Sequence, residues 1–480
     1  MRPLFFLCLI ASNLFAAEAK RVFRAGAATS NITPKLGTPL IGGFNPRGST
    51  HIHDDLNARC LVLDDGETKL AFAIVDNVQF PREIHDGAKE LIHRATGLPK
   101  QNILIAATHT HSAPSLRGPS YTVLGEPWDD YQKFVVQRIA DGVQRAFNQM
   151  ERARIGWGVG EVPDHVFNRR WLLKGGQKVT NPFGDEETAV MNPGRYVKQL
   201  LKPAGPVNSA VYFISLEATD GRPIALLGNY WLHYVGRTMT GHVSADYFGI
   251  FSERMKELLG HPGQDPPFVG MLSNGASADI NNNDYANYGK QRRYEPYEKM
   301  REVAEDVVQE VLRVRKSIKH HDWVKLGAAQ SDLTLKRRRP SPELIARCRR
   351  VLANPIPDSK DYQREAIFAR RALDAAKWPE TTKALAQTFR IGDLGIASLP
   401  FEIFTEIGFE IQKRSPFKET IVIELGNGGL GYLPSPRQHE LGGYETWLTV
   451  SSVEKDASPK LVDTLSELFS TLKTRRDESN

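Results

Sequence analysis

The sequence predicts an α/β fold, a mixed-sheet core with helical insertions, and three observations lead there. Short apolar runs bounded by turn residues, such as 58–63 and 69–75, read as strands, and they alternate with segments of helical spacing such as 81–96. No internal repeat and no flexible Gly/Ser linker divides the chain. Polar and ionisable residues stand where apolar runs end, which is where an α/β layer places its chemistry.

Taken in order, residues 22–27, 58–63 and 69–75 read as strands, with a 34–43 loop after the first, and 81–96 as a helix leading into a strand at 103–107. Further strands are expected at 153–158, 210–216, 224–227 and 268–272, joined by long polar segments. Residues 243–259 and 297–316 read as helices. In the second of them Met300, Val303, Val307, Val308, Val311 and Leu312 recur as one apolar stripe, the mark of core packing. Residues 341–373 and 379–386 carry helical character, 389–399 reads as a strand, and 457–473 as a closing helix with a polar tail. The expected organisation is therefore one catalytic domain with insertions over residues 20–480.

Residues 1–19 have the form of a secretory signal: Arg2, a mostly apolar stretch from Leu4 to Phe15, then small residues at Ala16, Ala17 and Ala19. A secreted or periplasmic location follows as the expectation, and no later apolar run is long enough to span a membrane. Of the three cysteines, Cys8 falls in that leader; Cys60 and Cys348 cannot make a disulfide scaffold and are expected reduced and buried. The formal charge of +6 is mild for 480 residues, and no motif or basic patch points to nucleic acid. The run Lys336-Arg337-Arg338-Arg339 reads as a solvated face, with a phosphate or polysaccharide contact as the alternative.

The chemistry-bearing stretch is Ala107-Thr108-His109-Thr110-His111-Ser112, directly after the 103–107 strand. In extended chain, positions two apart point the same way, so His109 and His111 can converge on one metal or divide metal and proton duties. Turn hydrogen bonding is the plainer alternative. His233 follows Gly228-Asn229-Tyr230-Trp231-Leu232, and Glu402 is the first acid after the 389–399 strand. None has zinc-finger spacing, but a catalytic zinc can gather three ligands from distant loops and keep a water position.

With the opening Ala28-Thr29-Ser30-Asn31-Ile32-Thr33-Pro34 and the later histidine, glutamate and tyrosine loops, this block resembles the neutral or alkaline, non-lysosomal ceramidase family, discontinuously from about Arg24 to Glu445. The histidine block carries most of the resemblance; the order of the other pieces carries the rest. The resemblance implies a zinc hydrolase core in which His109, His233 and Glu402 bind Zn2+ and Tyr432, in Gly428-Gly429-Leu430-Gly431-Tyr432, completes the metal surroundings. It further implies a second-shell or catalytic role for His111, an active-site tyrosine at Tyr444 and a substrate-facing arginine at Arg169. On packing grounds alone the tyrosines read as aromatic core and Arg169 as an ion pair.

The chain departs from the family at Gly275-Ala276-Ser277-Ala278-Asp279-Ile280-Asn281, where characterised ceramidases carry a Gly-Asp-x-Ser-Pro-Asn type of motif. Ser277 then stands as a shifted nucleophile, or water activated by zinc attacks directly. Asp279 is expected to orient an imidazole or water or to cap a turn. Asp246 reads as a site stabiliser or a helix cap, and His53 and Asp55 as pocket-shaping residues. The residues after Glu445 suffice for a helix but not for the immunoglobulin-like domain of better known ceramidases.

The leading functional reading is amide hydrolysis in an N-acyl lipid or related acylated small molecule, with peripheral membrane contact left open and no obligate protein partner inferred. An esterase or deacylase acting on a carbohydrate-type substrate, or a non-catalytic lipid- or glycan-binding homologue, are the alternatives. The cavity lining separates them: an aliphatic cleft favours ceramide-like amides, whereas an Arg, Asn and aromatic-lined groove favours sugars or acidic substrates.

Overall fold

Apolar residues on strands that are buried on both faces need a partner layer on each side, and here that need is met by stacking two sheets between helices. The computed structural model describes residues 21–42, 47–114, 116, 127–356 and 359–474; the expected leader at 1–19 lies outside the described residues. The first sheet comprises β1 (Arg24–Asn31), β2 (Asn57–Asp64), β3 (Lys69–Val75), β4 (Ile103–Ala107), β5 (Glu151–Glu161), β6 (Ala210–Ala218), β7 (Pro223–Tyr230) and β8 (Val269–Asn274). Their order across the sheet is β8-β7-β6-β5-β1-β2-β3-β4. The second sheet runs in chain order through β9 (Leu326–Lys336), β10 (Thr381–Ile391), β11 (Leu394–Ser398) and β12 (Glu419–Ile423).

Most pairings are antiparallel, but β3–β4, β7–β8 and β11–β12 are parallel. A parallel pair needs a crossover, and each of these contains a helix: α1 (Arg82–Thr96) after β3, α3 (Asp246–Leu259) after β7 and α7 (Thr405–Arg414) after β11. The remaining helices used below are α2 (Asp130–Asn148), α4 (Glu298–Arg315), α5 (Pro342–Ala353), α6 (Lys360–Ala375) and α8 (Ala457–Thr474).

The two sheets share a buried apolar layer in which Leu61, Phe72 and Ile214 of the first meet Phe389, Ile396 and Ile423 of the second. The rings of Phe72 and Phe389 stand 5.1 Å apart between centroids. On the outer face of the first sheet, α1 and α2 cover one half through Ile84, Ile92, Val135 and Ile139, and α3 and α4 cover the other through Phe248, Phe251, Val303 and Val307. Helices α6, α7 and α8 cover the second sheet. The result is a helix–sheet–sheet–helix sandwich. Cys60 and Cys348 are free and buried, as expected.

Local sequence misleads at three places, each for a physical reason. Residues 379–386 do not extend a helix; they begin β10, where Ala384, Leu385 and Ala386 are buried between two neighbouring strands, so long-range pairing overrides local propensity. The single strand expected over 389–399 is a hairpin, because Gly392, at a φ of 61°, reverses the chain with Asp393 and sets Ile391 opposite Leu394. The helical run over 341–373 is a pair of helices, α5 and α6, capped by Ser341 and Ser359. Helix α2, unread in the sequence, starts at a capping box: Asp129 accepts from the Gln132 amide at 2.7 Å and the Gln132 side chain accepts from the Asp129 amide at 2.7 Å.

The shared layer is where the fold is most exposed to damage. Phe389→Ala removes a fully buried ring between the sheets and is expected to cost about 3–5 kcal/mol, read by urea unfolding with native secondary structure retained. A loss under about 1 kcal/mol would show that the sheets do not depend on this layer.

Candidate metal centre

The carboxyl ends of the three parallel pairs converge. β3 leads to Asn77 and Val78, β4 to His109 and His111, β7 to His233, β8 to Ser277 and Asp279, β11 to Glu402, and β12 to Glu424. Crevices at the carboxyl ends of parallel strands are where open α/β sheets bind ligands. His109 and His111 do face a common point, but not by the alternation of an extended strand. The strand stops at Ala107, and His109 takes a left-handed φ of 70°, with its amide donating to the Asn77 carbonyl at 2.9 Å. A non-glycine residue in that region is strained and is kept there by its surroundings.

The imidazole tautomers follow from their partners. His109 Nδ1 lies 2.7 Å from the Val78 carbonyl oxygen and His111 Nδ1 lies 2.8 Å from that of Gly42. A carbonyl only accepts, so Nδ1 carries a proton in each ring and each Nε2 faces inward. These Nε2 atoms are 3.1 Å apart, and His233 Nε2 lies 3.0 Å from that of His109. Together His109, His111 and His233 form a compact set of nitrogen donors able to hold a metal ion. Burial and the neighbouring His109 hold His111 and His233 well below the ordinary imidazole range, which keeps both rings neutral.

Glu402 completes the set. Its Oε2 is buried without a hydrogen-bond partner, 3.3 Å from His109 Nε2 and 3.8 Å from His233 Nε2. Burial lowers His109, but the Glu402 carboxylate more than offsets it, so the centre draws in a positive charge, as a proton or as a metal. Several inward lone pairs with an orphaned carboxylate oxygen are costly to bury unless a cation lies among them, and the residues present therefore fit a metal.

Glu402 is aligned by pairing of Glu402–Ile403 with Tyr432–Leu433, which sets the two site residues opposite each other. The Glu402 amide donates to the Gly431 carbonyl at 3.0 Å, and the Tyr432 hydroxyl bonds the Glu402 carboxylate. Gly431 has a φ of 85°, and a Cβ there would stand 2.2 Å from the Val450 carbonyl oxygen, so only glycine fits. Arg169 donates through Nη2 to the Tyr432 hydroxyl at 3.0 Å and through Nε to Glu445 at 2.9 Å, while Arg170 holds the other Glu445 oxygen at 2.6 Å. Burial raises Tyr432 and Tyr444, so both phenols stay protonated.

The serine motif lies behind this arrangement. Ser277 Oγ donates to Glu424 at 2.8 Å and stands 3.5 Å from His233 Nδ1, on the side of that ring away from its neighbours. Glu424 also accepts from the Ile403 amide at 2.8 Å, and burial pushes its carboxyl up to about 8. Asp279 faces loops: it accepts from the Thr405 amide and hydroxyl at 2.9 and 2.8 Å and from Asn168 at 2.8 Å, while its own carbonyl takes the Arg169 amide at 2.8 Å. It thereby ties the chain carrying Arg169 to the chain after Glu402.

Other expected residues fall elsewhere. Asp246 opens α3 and accepts from the amides of Val235, Gly236 and Tyr247 at 3.0, 2.8 and 2.7 Å, fixing the turn just after His233. His53 stacks on Tyr297 at 3.6 Å and Asp55 accepts from Thr33, so neither shapes the pocket. The basic run is not a solvated face throughout. Arg338 is largely buried, bonded to the carbonyls of Thr446 and Ser451 at 2.7 and 3.1 Å and lowered to about 10 by burial, and Arg337 lines the cavity. Sequence reading passed over Glu424, Tyr234 and Glu445. Glu424 had a readable signal, since it follows Ile421-Val422-Ile423 as Glu402 follows its strand. Tyr234, stacked on His111 at 3.7 Å, is simply the neighbour of His233.

A cavity of about 780 Å³ opens over the centre. Its inner wall includes His109, His111, Arg169, His233, Glu402 and Tyr432, and its outer wall mixes charged, hydroxylated and aromatic residues with aliphatic ones. Ser277 and Asp279 are absent from the described lining.

Fold and centre together define a class: a helix–sheet–sheet–helix sandwich with a histidine–carboxylate centre at its strand ends. Among solved structures, that architecture is the fold of the neutral ceramidase catalytic core. The chain aligns over 95% of its length with 75% of the neutral ceramidase from Pseudomonas aeruginosa, at a TM-score of 0.72 and 14% identity. A second structure, described as ceramidase complexed with C2, matches over 95% of this chain and 76% of that one, at a TM-score of 0.71 and 14% identity. No family model matches the chain, and neither does any curated protein.

Glu424 generates a pH prediction for the metal-free protein. Native Glu424 keeps its proton to about 8, whereas the unfolded carboxyl loses it near the ordinary 4.5, so between those values the native state binds more protons. Stability should fall as pH rises through that window. Glu424→Gln cannot titrate and should flatten this part of the slope in thermal unfolding from pH 5 to 8. Identical slopes in the two proteins would refute the buried, protonated carboxyl.

Proposed function

We propose that this chain is a zinc-dependent amidohydrolase that cleaves the amide of an N-acylated compound, with His109, His233 and Glu402 as metal ligands and Tyr432 beside them. The observation that carries this is the convergence of His109 Nε2 and His233 Nε2, 3.0 Å apart, on the Glu402 oxygen that has no hydrogen-bond partner. Imidazole nitrogens with one carboxylate and an open side suit a catalytic zinc. Zinc bound there supplies Lewis acidity toward a carbonyl oxygen and makes water more acidic. The shared fold supports the amide as the bond cleaved, since the matched proteins are ceramidases.

The chain's own residues supply the rest. Water oxygen bonds to the carbonyl carbon, the carbon–nitrogen bond breaks, and the proton passes to the departing amine, leaving a carboxylate and an amine. His111, neutral and clamped against Tyr234, presents an Nε2 lone pair that can take that proton and return it. Arg169 places a fixed positive charge beside the Tyr432 hydroxyl, where negative charge on the carbonyl oxygen is stabilised, and the Tyr444 phenol lines the same wall. Ser277 acts as a positioning residue behind His233, because its hydroxyl is directed to Glu424. The form of residues 1–19 supports work outside the cytoplasm, and among the described residues no helix is long and apolar enough to cross a membrane. Charged residues in the outer cavity, among them Arg337, Arg371 and Asp374, favour a second reading, the same centre acting on an ester or deacylating a carbohydrate-type substrate.

Protein prepared without chelators should carry one zinc per chain by elemental analysis, and His233→Ala or Glu402→Ala should lose it while keeping native circular dichroism. Full zinc retention in both variants would remove the site. For Ser277, substitution by Ala should leave turnover of any substrate the native protein hydrolyses within about tenfold, a loss of about 1.4 kcal/mol in barrier terms. A serine-linked acyl intermediate detected by mass spectrometry would overturn the positioning role.

A further inference from the structure

Strands β9 and β10 pair in antiparallel register up to Lys336 opposite Thr381, where a reversal of two residues would close the hairpin. The chain instead spends residues 337–380 on α5 and α6 before β10 begins. This excursion builds the outer wall of the cavity: Arg337 at its start, Arg371 and Asp374 on the last turns of α6, and Trp378 just beyond it all line the space above the centre. Trp378 is half-buried and clamped, with the Arg337 guanidinium 5.2 Å from its ring centroid and Arg337 Nη2 donating to Thr382 Oγ1 at 3.2 Å.

The chemistry of this wall is specific. A ring held on one face by the Arg337 guanidinium, with a carboxylate and a second guanidinium four and seven residues back in the chain, offers apolar surface beside planar polar groups able to engage neighbouring hydroxyls. Asp374 meets Lys377 at 3.3 Å through Oδ1, which leaves lone pairs on the carboxylate for donors in the cavity. Aliphatic lining, such as Leu385, Leu430, Val450 and Pro400, is interleaved with charged and hydroxylated neighbours. Two lipid chains would need a continuous apolar wall, and here Arg337, Arg371 and Asp374 interrupt it.

Resting on the amidohydrolase reading above, we infer that the substrate is an N-acylated amino sugar, its ring lying against Trp378 and its hydroxyls meeting Asp374 and Arg371 while the amide reaches the histidine centre. Hydrolysis then releases the acyl group as a carboxylate and the sugar as its free amine, with water as the only co-reactant. The excursion between β9 and β10 is the specificity element, and the centre beneath it is indifferent to the sugar.

Zinc-loaded protein assayed on N-octanoyl glucosamine, N-octanoyl ethanolamine and N-octanoyl sphingosine tests this with one acyl group held constant. The sugar amide should exceed both others in kcat/KM by about tenfold or more, and Trp378→Ala should collapse the sugar-to-ethanolamide ratio toward one, chiefly through KM, with Trp378→Phe retaining part of it. Saturation-transfer NMR on metal-free protein supplies a readout independent of turnover: the sugar ring protons should receive saturation in the native protein and lose it in Trp378→Ala. Equal turnover of all three amides, or a sugar preference untouched at Trp378, overturns the inference and leaves the hydrolase reading intact. Ring saturation that depends on Trp378, with no amide hydrolysed at all, supports the sugar subsite and sinks the hydrolase reading instead.

Discussion

The inward Nε2 atoms of His109 and His111, set 3.1 Å apart by carbonyls that occupy their Nδ1 protons, are the constraint on which the rest of the site depends. Buried polar atoms crowded this closely have to be held in place by something stiffer than a loop. The sandwich supplies that stiffness by bringing the ends of three parallel pairs to one point, so that each donor stands within a few residues of a hydrogen-bonded strand. Close backbone approaches tighten it further. A Cβ on Gly42 would lie 2.1 Å from the His111 carbonyl oxygen, so the carbonyl that fixes the His111 tautomer comes from a position only glycine can fill.

Around this centre a second tier of buried charge keeps the first tier aligned. Arg169 and Arg170 share the fully buried Glu445, and Arg169 reaches from it to Tyr432. Removing one member of such a set leaves an uncompensated buried charge, commonly worth about 3–5 kcal/mol, although the intact set adds little net stability over an apolar replacement. Its use here is orientation. Arg59 and Asp76, buried and 2.6 Å apart, do the same for the turn after β3 whose Asn77 and Val78 carbonyls receive the His109 amide and Nδ1. Ser277, Asp279 and Asp246 likewise spend their polar atoms on backbone or on a neighbour behind the histidine–carboxylate cluster, and so tie down its loops.

Much of this was legible in the sequence because it is written locally. Apolar runs marked most strands of the first sheet within a few residues, and the rule that ionisable residues stand at strand ends picked out His109, His111, His233 and Glu402, which the fold gathers around one point. What was not legible is settled at long range. Residues 381–391 become a central strand only because Leu326–Lys336 and Leu394–Ser398 flank them, and the tautomer of His111 is set by a carbonyl 69 positions away. Arg337 and Arg338 looked like a solvated run because charge alone does not reveal that the 337–380 excursion folds back over the cavity.

The physical division between centre and excursion bears on how far a shared fold carries function at 14% identity. The donors sit at strand ends, where moving one residue would mean shifting a register that also buries core side chains, so the centre is held by the same contacts that hold the fold. The outer wall is formed by the cavity-facing residues of an excursion inserted at a hairpin, and these, unlike the face of α6 that buries Phe368 over the second sheet, can change with little cost to the sheets. A common architecture therefore constrains the bond-breaking geometry much more tightly than it constrains what the bond is attached to. Here the wall above the centre presents Trp378, Arg371 and Asp374, so the substrate proposed for this chain rests on that wall and not on the fold it shares.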